Sequence, residues 1–175
     1  MVNERAGSEP AEFLVENLHL LPRGRVLDVA MGSGRNAVFM AKQGFVVEGV
    51  DISAEAVARA REAARIAGVQ IAAVVADLEA GYRIAPNAYD VIMVFNYLQR
   101  SLVPSLRAGV RVGGMVIYET FTVEQARFGK PQNPDFLLRP NELLDLFRGF
   151  RCLRYREGLL EGPRAVASIL AERIE

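Results

Sequence analysis

The stretch Val26–Ser53, VLDVAMGSGRNAVFMAKQGFVVEGVDIS, decides the fold of this chain. Residues 26–30 form a short β-rich run, and Gly32 and Gly34 follow where a strand must turn sharply into a helix. The helix-compatible residues that come next lead to a second, valine-rich apolar run, which ends at Asp51. This order of strand, glycine turn, helix, strand and carboxylate predicts a βαβ unit that binds a nucleotide.

Two kinds of cofactor fit this outline. A dinucleotide site needs G-x-G-x-x-G or A and an acid about 20 residues further on, and Gly32, Gly34, Ala37 and Asp51 meet both conditions. Asp28 separates the two cofactors, because it lies inside the apolar first strand, where a carboxylate without partners is costly. Asp28 would repel an anionic pyrophosphate, whereas it would attract the ammonium group of S-adenosylmethionine (SAM).

The first turn also carries a resemblance to a known family. Asp28–Gly34, as D-x-A-x-G-x-G, resembles the D-x-G-x-G-x-G motif of class I SAM-dependent methyltransferases. Ala30 departs from that motif, and its methyl group is tolerable if the backbone there keeps a negative φ. Gly34–Asn36 is similar to the GRN of tellurite-resistance-type and related small-molecule methyltransferases. The resemblance extends over nearly the whole chain.

The resemblance implies an α/β fold with a Rossmann-like, seven-stranded, mostly parallel sheet of order 3-2-1-4-5-7-6. Its last strand would be antiparallel, and helices would cover both faces. The chain has 175 residues, and we expect residues 1–175 to form a single domain. The predicted strands cover residues 26–30, 45–50, 70–76, 89–95, 115–120, 150–156 and 165–173.

Two further segments are expected beside the sheet. A helix at about 8–21, capped by Ser8, would lie either over the cofactor or over the sheet edge. Residues 122–139 form a long irregular stretch, which we interpret as a lid over the acceptor pocket.

The resemblance also implies which residues hold SAM. Asp28 would orient the ammonium group of its methionine end, and Asp51 would accept hydrogen bonds from both ribose hydroxyls. Residues after the second and third strands would surround the adenine. The full predicted cofactor set is Asp28, Ala30, Gly32, Gly34, Asn36, Asp51, Ile52, Asp77, Leu78, Phe95 and Asn96.

The methyl acceptor is expected at the carboxyl ends of the fourth and fifth strands, since ligands bind there in open α/β sheets. Glu119 would be the general base if it faces the pocket, and the alternative is that it faces away and pairs with an arginine. Tyr97 is the second catalytic candidate. The predicted acceptor-binding residues are Arg35, Arg100, Tyr118, Phe128 and Arg164, with a surface ion pair as the alternative for Arg35.

Composition limits the partners. Lysine plus arginine and aspartate plus glutamate number 21 each, so no nucleic-acid partner is expected. Because the chain has one cysteine, Cys152, and one histidine, His19, no metal site is expected. We expect a cytoplasmic protein without a membrane partner, because we find neither a spanning apolar run nor a signal-peptide core. No oligomeric state is predicted.

The leading interpretation is a SAM-dependent methyltransferase that transfers the methyl group in line to a small molecule. One alternative is a SAM-binding module without turnover, which would act as a sensor or partner subunit. A second is an NAD(P)-binding oxidoreductase. An RNA or protein acceptor stays open, although the run that begins at Asn96 lacks the N-P-P-Y motif expected for a base amino group.

Overall fold

The sheet has the predicted order. The computed structural model describes residues 9–160 and 162–175, so the predicted cap at Ser8 lies outside the described residues. Its strands form one seven-stranded sheet of order β3-β2-β1-β4-β5-β7-β6, which confirms the predicted topology. The strands are β1 Arg25–Val29, β2 Val46–Asp51, β3 Ala72–Val75, β4 Tyr89–Phe95, β5 Val110–Phe121, β6 Arg151–Leu160 and β7 Arg164–Glu172. Strand β7 runs antiparallel to both of its neighbours, β5 and β6.

Five α-helices and four 3₁₀ turns connect the strands of the described ranges. The helices are α1 Glu12–Asn17, α2 Arg35–Lys42, α3 Ala54–Ala67, α4 Val103–Gly109 and α5 Glu142–Leu146. The 3₁₀ turns are Leu18–Leu20, Arg100–Leu102, Val123–Arg127 and Pro134–Phe136. None of the helices in the described part of the chain is long and apolar enough to cross a membrane.

Strand β3 is shorter than predicted, at Ala72–Val75 instead of 70–76, and three other elements differ further. Helix α1 covers only Glu12–Asn17 and then tightens into a 3₁₀ turn, so it is shorter than the expected helix at 8–21. Strand β5 begins at Val110 instead of the predicted residue 115, and a register shift against β4 accommodates the extra residues. Strand β6 continues to Leu160, because its pairing with β7 persists to the end of the hairpin.

The sheet separates two apolar cores. Leu27 and Ile92 belong to the core on one face, together with residues of α4 and α5. Val26 and Met93 belong to the other, with residues of α1 and α2. Neighbouring residues of β1 and β4 thus enter opposite cores, which is the two-residue alternation of a strand buried on both faces. The same burial surrounds Asp28, which lies between Leu27 and Val29 on β1.

The turn after β1 requires left-handed backbone at three positions. Gly32 and Gly34 have φ values of 57° and 80°, which glycine adopts without strain. Ala30 has φ 55°, so the expectation of a negative φ at this position is wrong. The backbone turns toward β2 at Ala30, because the amide of the next residue, Met31, donates a hydrogen bond of 3.0 Å to the Val50 carbonyl on β2. The Ala30 methyl group therefore costs about 1–2 kcal/mol.

We expect Ala30→Gly to raise the free energy of unfolding by about 0.5–1 kcal/mol, because relief of the left-handed strain exceeds the added entropy of the unfolded chain. Urea denaturation of the ligand-free protein measures this change. Ala76→Gly is the matched control, since Ala76 follows β3 and its φ is not positive. The control should lose about 0.5–1 kcal/mol. Equal losses in both variants would contradict the strain at Ala30.

Candidate functional site

A small cavity lies at the carboxyl ends of β1, β2 and β3. Its volume is about 190 Å³. The residues that line it are Ala30, Asp51, Ile52, Asp77, Leu78, Glu79 and Tyr97. The first five of these were all predicted to contact the cofactor. Ile52 is 67% exposed, which leaves its side chain open to stack on a flat ring.

Asp51 fastens the glycine turn to the end of β2. Its Oδ2 accepts a hydrogen bond of 2.8 Å from the Gly32 amide, and its Oδ1 accepts one of 2.9 Å from the Ser53 amide. A carboxylate has about four lone-pair sites, so each oxygen can still accept one more donor. Asp51 can therefore hold the turn and also accept hydrogen bonds from two hydroxyl groups of a ligand.

Asp28 is a buried carboxyl with an unused oxygen. It is 2% exposed, and its Oδ2 has no hydrogen-bond partner among the residues that the structure describes. Burial raises the pKa of Asp28 to about 8, although the Arg35 charge and the Ala37 amide act in the opposite direction. An unpartnered buried polar atom is expensive in a folded protein. The residue fits a cationic ligand group, which would supply the missing partner directly or through water and favour ionisation of the carboxyl.

Arg35 and Asn36 hold the N-terminal segment. Asn36 Oδ1 accepts a hydrogen bond of 2.8 Å from the Ala11 amide, directly before α1, and Asn36 is 5% exposed. Arg35 donates to the Glu9 carbonyl at 3.2 Å. Neither side chain is among those that line the two cavities at this edge of the sheet. The cofactor contact of Asn36 and the acceptor contact of Arg35 stay predictions.

A larger cavity of about 650 Å³ adjoins the small one. Glu79 and Tyr97 line both cavities, so they form the boundary between them. The other lining residues of the larger cavity come from the ends of β4 and β5 and from the irregular segment after β5. They are Asn96, Leu98, Thr120, Phe121, Lys130, Pro131, Gln132, Asn133 and Phe136. Burial raises the pKa of Tyr97 to about 12, with the Glu79 and Asp77 charges acting in the same direction.

Glu119 does not line the larger cavity. It is 3% exposed, and its Oε2 accepts a hydrogen bond of 2.6 Å from the Ser168 hydroxyl. Arg156 and Arg164 form ion pairs with it at 3.3 Å and 3.6 Å. This arrangement corresponds to the alternative in which Glu119 faces away from the pocket and pairs with an arginine. The geometry does not support a role as general base.

Arg100 is engaged within the protein rather than turned toward a ligand. Its guanidinium forms a bidentate pair with Glu142, at 2.6 Å and 3.0 Å. It also donates to the Asp135 and Leu137 carbonyls at 2.8 Å and 2.9 Å. Burial opposes ionisation of Glu142, but hydrogen bonds from Arg100 and Arg139 prevail and lower its pKa to about 2. Arg100 thus fixes the segment that carries Phe136, and its acceptor contact stays a prediction.

Other predicted contacts also lie outside the cavities. Tyr118 is 1% exposed, and its hydroxyl donates a hydrogen bond of 2.7 Å to the Tyr97 carbonyl. It therefore holds the backbone of Tyr97, which lies between the two cavities. Arg164 pairs with Glu119 and lies over the Phe121 ring. Phe128 is 44% exposed but is not a lining residue. Phe95 is buried in the core beneath α1, and the next residue, Asn96, lines the larger cavity instead of the small one.

Sequence reasoning missed Glu79, which it treated only as the start of a loop. The available signal was its position two residues after Asp77, because the Glu79 amide donates to Asp77 Oδ1 at 2.8 Å in a tight local turn. It also did not single out Leu98 or Lys130 as wall residues. These residues follow strand ends or lie in irregular segments, where no periodicity marks a side chain.

The comparisons with known proteins agree with this geometry. A family model described as a methyltransferase domain matches residues 26–112, about half of the chain. The chain is 31% identical over 113 residues to a ubiquinone biosynthesis O-methyltransferase of Vibrio cholerae, a match that covers 62% of this chain and 46% of that protein. The chain thus spans about half the length of the curated relatives it matches.

Solved structures share the fold. TehB from Haemophilus influenzae superposes with a TM-score of 0.77 at 22% identity, covering 91% of this chain and 61% of TehB. Geranyl diphosphate C-methyltransferase from Streptomyces coelicolor superposes with a TM-score of 0.71 at 18% identity, covering 97% of this chain and 80% of that one. The chain has the class I methyltransferase fold, and the resemblance inferred from the glycine motif is confirmed.

The buried carboxyl of Asp28 predicts a pH dependence of stability. Because its pKa is about 8 in the folded protein and 3.8 for an ordinary aspartate, the folded state holds a proton that the unfolded chain loses between these pH values. We expect the free energy of unfolding of the ligand-free protein to fall from pH 6 to pH 8, by at most about 1.4 kcal/mol per pH unit from this group. Asp28→Asn should remove this component, as urea denaturation at both pH values would show.

Asp135→Asn is the control for this experiment, since Asp135 is exposed. It should keep the pH dependence of the wild type. The same pH dependence in Asp28→Asn and in the wild type would contradict a proton held at Asp28.

We expect Arg100→Ala to lower the free energy of unfolding by about 2–3 kcal/mol, because it leaves the buried Glu142 carboxylate without its main partner. Hydrogen exchange should also accelerate in residues 134–138. Arg139→Ala is the control, since Arg139 is 74% exposed and lies 3.4 Å from the same carboxylate. It should cost less than about 1 kcal/mol. Equal effects of the two variants would mean that Arg100 does not hold this segment.

Proposed function

We propose that this protein is a SAM-dependent methyltransferase that methylates a small molecule by in-line transfer. The observation that carries the proposal is the pair of carboxyls beside the glycine turn. Asp28 has a buried oxygen without a partner, and Asp51 retains hydrogen-bonding capacity at the edge of the small cavity. A ligand with an ammonium group near Asp28 and a ribose at Asp51 would give the first carboxyl a cationic partner and the second two hydrogen-bond donors.

The residues of the small cavity suit the adenosine half of SAM. Asp51 would accept the ribose hydroxyls, and the exposed Ile52 side chain would stack on the adenine. Asp77 and Leu78 would frame the ring from the end of β3. Gly32 supports the fit on the methionine side, since a Cβ there would meet no protein atom within 4 Å and the space beside it is open.

SAM, when bound, supplies a methyl group on a positively charged sulfur. The new bond joins the acceptor atom to the methyl carbon while the sulfur–carbon bond breaks and its electron pair stays on sulfur. A hydroxyl or amine acceptor must also lose a proton, and Glu79 is the one acidic residue among those that line the larger cavity. Tyr97, whose pKa is raised to about 12, keeps its proton at neutral pH and can donate a hydrogen bond.

Apart from these groups, the enzyme would accelerate the reaction mainly by holding the acceptor in position. The sulfonium is already a good electrophile, so holding the acceptor in line supplies much of the acceleration. Residues 122–139 would act as the acceptor-side lid, which five lining residues of this segment support. We also propose that the chain forms a single domain and that its acceptor is a small molecule, without a nucleic-acid or membrane partner. The proposed location is cytoplasmic, which the single cysteine supports.

The alternatives are separable by binding and turnover. An NAD(P)-binding oxidoreductase is disfavoured by the sheet, because β7 lies between β5 and β6, whereas the dinucleotide fold has the order 3-2-1-4-5-6. Isothermal titration calorimetry should detect binding of SAM and of S-adenosylhomocysteine, its demethylated product, but not of NADPH. Binding of NADPH alone would reject the proposal. A SAM-binding module would bind SAM without turnover on any acceptor.

We expect Asp51→Asn to weaken binding of S-adenosylhomocysteine by about 1–3 kcal/mol, because an amide replaces a charged acceptor of the ribose hydroxyls. Calorimetry measures the affinity, and urea denaturation shows whether the turn held by Asp51 stays folded. Glu55→Gln removes an exposed carboxylate from the first turn of α3 and should leave the affinity unchanged. An unchanged affinity in Asp51→Asn would exclude the ribose role.

A further inference from the structure

We propose that the larger cavity binds an organic acceptor with a flat apolar body and a hydroxyl or amine at one end, and not an inorganic oxyanion. This inference rests on the proposed function and names the substrate class of the same site. The volume of the larger cavity, about 650 Å³, lies within the range of pockets that hold drug-sized molecules. It far exceeds the volume that a single oxyanion fills.

Apolar side chains from two parts of the chain line this cavity. Leu98 follows β4, and Phe121 ends β5. Pro131 and Phe136 come from the segment that Arg100 fixes through the Asp135 and Leu137 carbonyls. Two aromatic rings among these residues favour a flat, apolar ligand, because ring faces offer large contact areas at low conformational cost.

The positive charges of this region do not converge on the cavity. Lys130 is the one basic residue among its lining residues. Arg100 is bidentate to Glu142, and Arg164 pairs with Glu119. Recognition of an oxyanion favours several convergent donors, above all the fork of an arginine. These arginines instead pair within the protein, so the described residues do not give the larger cavity the convergent donors that an inorganic anion favours.

Two polar residues of the cavity, Glu79 and Tyr97, lie where it meets the cofactor. Glu79 and Tyr97 line both cavities, so an acceptor that approaches the cofactor from the larger cavity passes beside them. The nucleophile of the acceptor must therefore be at this end, with the apolar body between Phe121 and Phe136. The proton that a hydroxyl or amine loses as the carbon–oxygen or carbon–nitrogen bond forms passes to the Glu79 carboxylate.

The test uses 2-naphthol, a fluorescent molecule with a flat apolar body and one hydroxyl, and the full chain saturated with S-adenosylhomocysteine. We expect saturable binding that sodium tellurite does not displace. Phe136→Ala should weaken this binding at least about fivefold, because it removes one aromatic wall. Phe128→Ala is the matched control: Phe128 and Phe136 are 44% and 55% exposed in the same segment, but only Phe136 lines the cavity. The control should change the affinity less than about twofold.

Calorimetry of S-adenosylhomocysteine on both variants separates this inference from the proposed function, and its affinity should match the wild type. If S-adenosylhomocysteine binds but 2-naphthol does not, the acceptor class is wrong and the proposed function stands. Equal weakening by the two variants, or displacement of 2-naphthol by tellurite, would likewise overturn the inference. Failure of the wild type to bind either SAM or S-adenosylhomocysteine would instead reject the proposed function.

Discussion

The hydrogen bond from the Gly32 amide to Asp51 is the constraint on which the site depends. It ties the turn after β1 to the end of β2 across 19 residues of sequence, at a distance of 2.8 Å. The turn is thereby held open beside the strand ends, with left-handed backbone at Ala30, Gly32 and Gly34. The helix that follows places Asn36 against α1, so the same turn also determines where the N-terminal segment lies.

Much of the fold could be predicted because its information is local. The glycine turn, the two carboxylates and the valine-rich strands occur within 28 consecutive residues, Val26–Ser53, and each has a direct physical meaning. The sheet order followed from resemblance. The start of β5 and the end of β6 were misjudged, because strand length depends on pairing with distant strands, with β4 for β5 and with β7 for β6. The φ of Ala30 was misjudged because alanine carries no signal for left-handed backbone.

The acceptor side was less predictable for a related reason. Arg100 and Glu142 are separated by 42 residues, and Glu119 and Ser168 by 49. A charged residue at a strand end can face a ligand or a distant partner, and the local sequence is the same in both cases. Arg100 and Glu119 both proved to have partners within the protein. Glu79, which has no such distant partner among the described hydrogen bonds, was overlooked because it lies in a loop without periodicity.

The boundary formed by Glu79 and Tyr97 has a consequence for the thermodynamics of binding. Because each of these side chains belongs to the walls of both cavities, a ligand that orders them in one cavity changes the surface offered to the other. Binding of the two ligands is then linked by a coupling free energy. Linkage makes this coupling reciprocal, so the factor by which the cofactor alters the affinity for the acceptor equals the factor by which the acceptor alters the affinity for the cofactor.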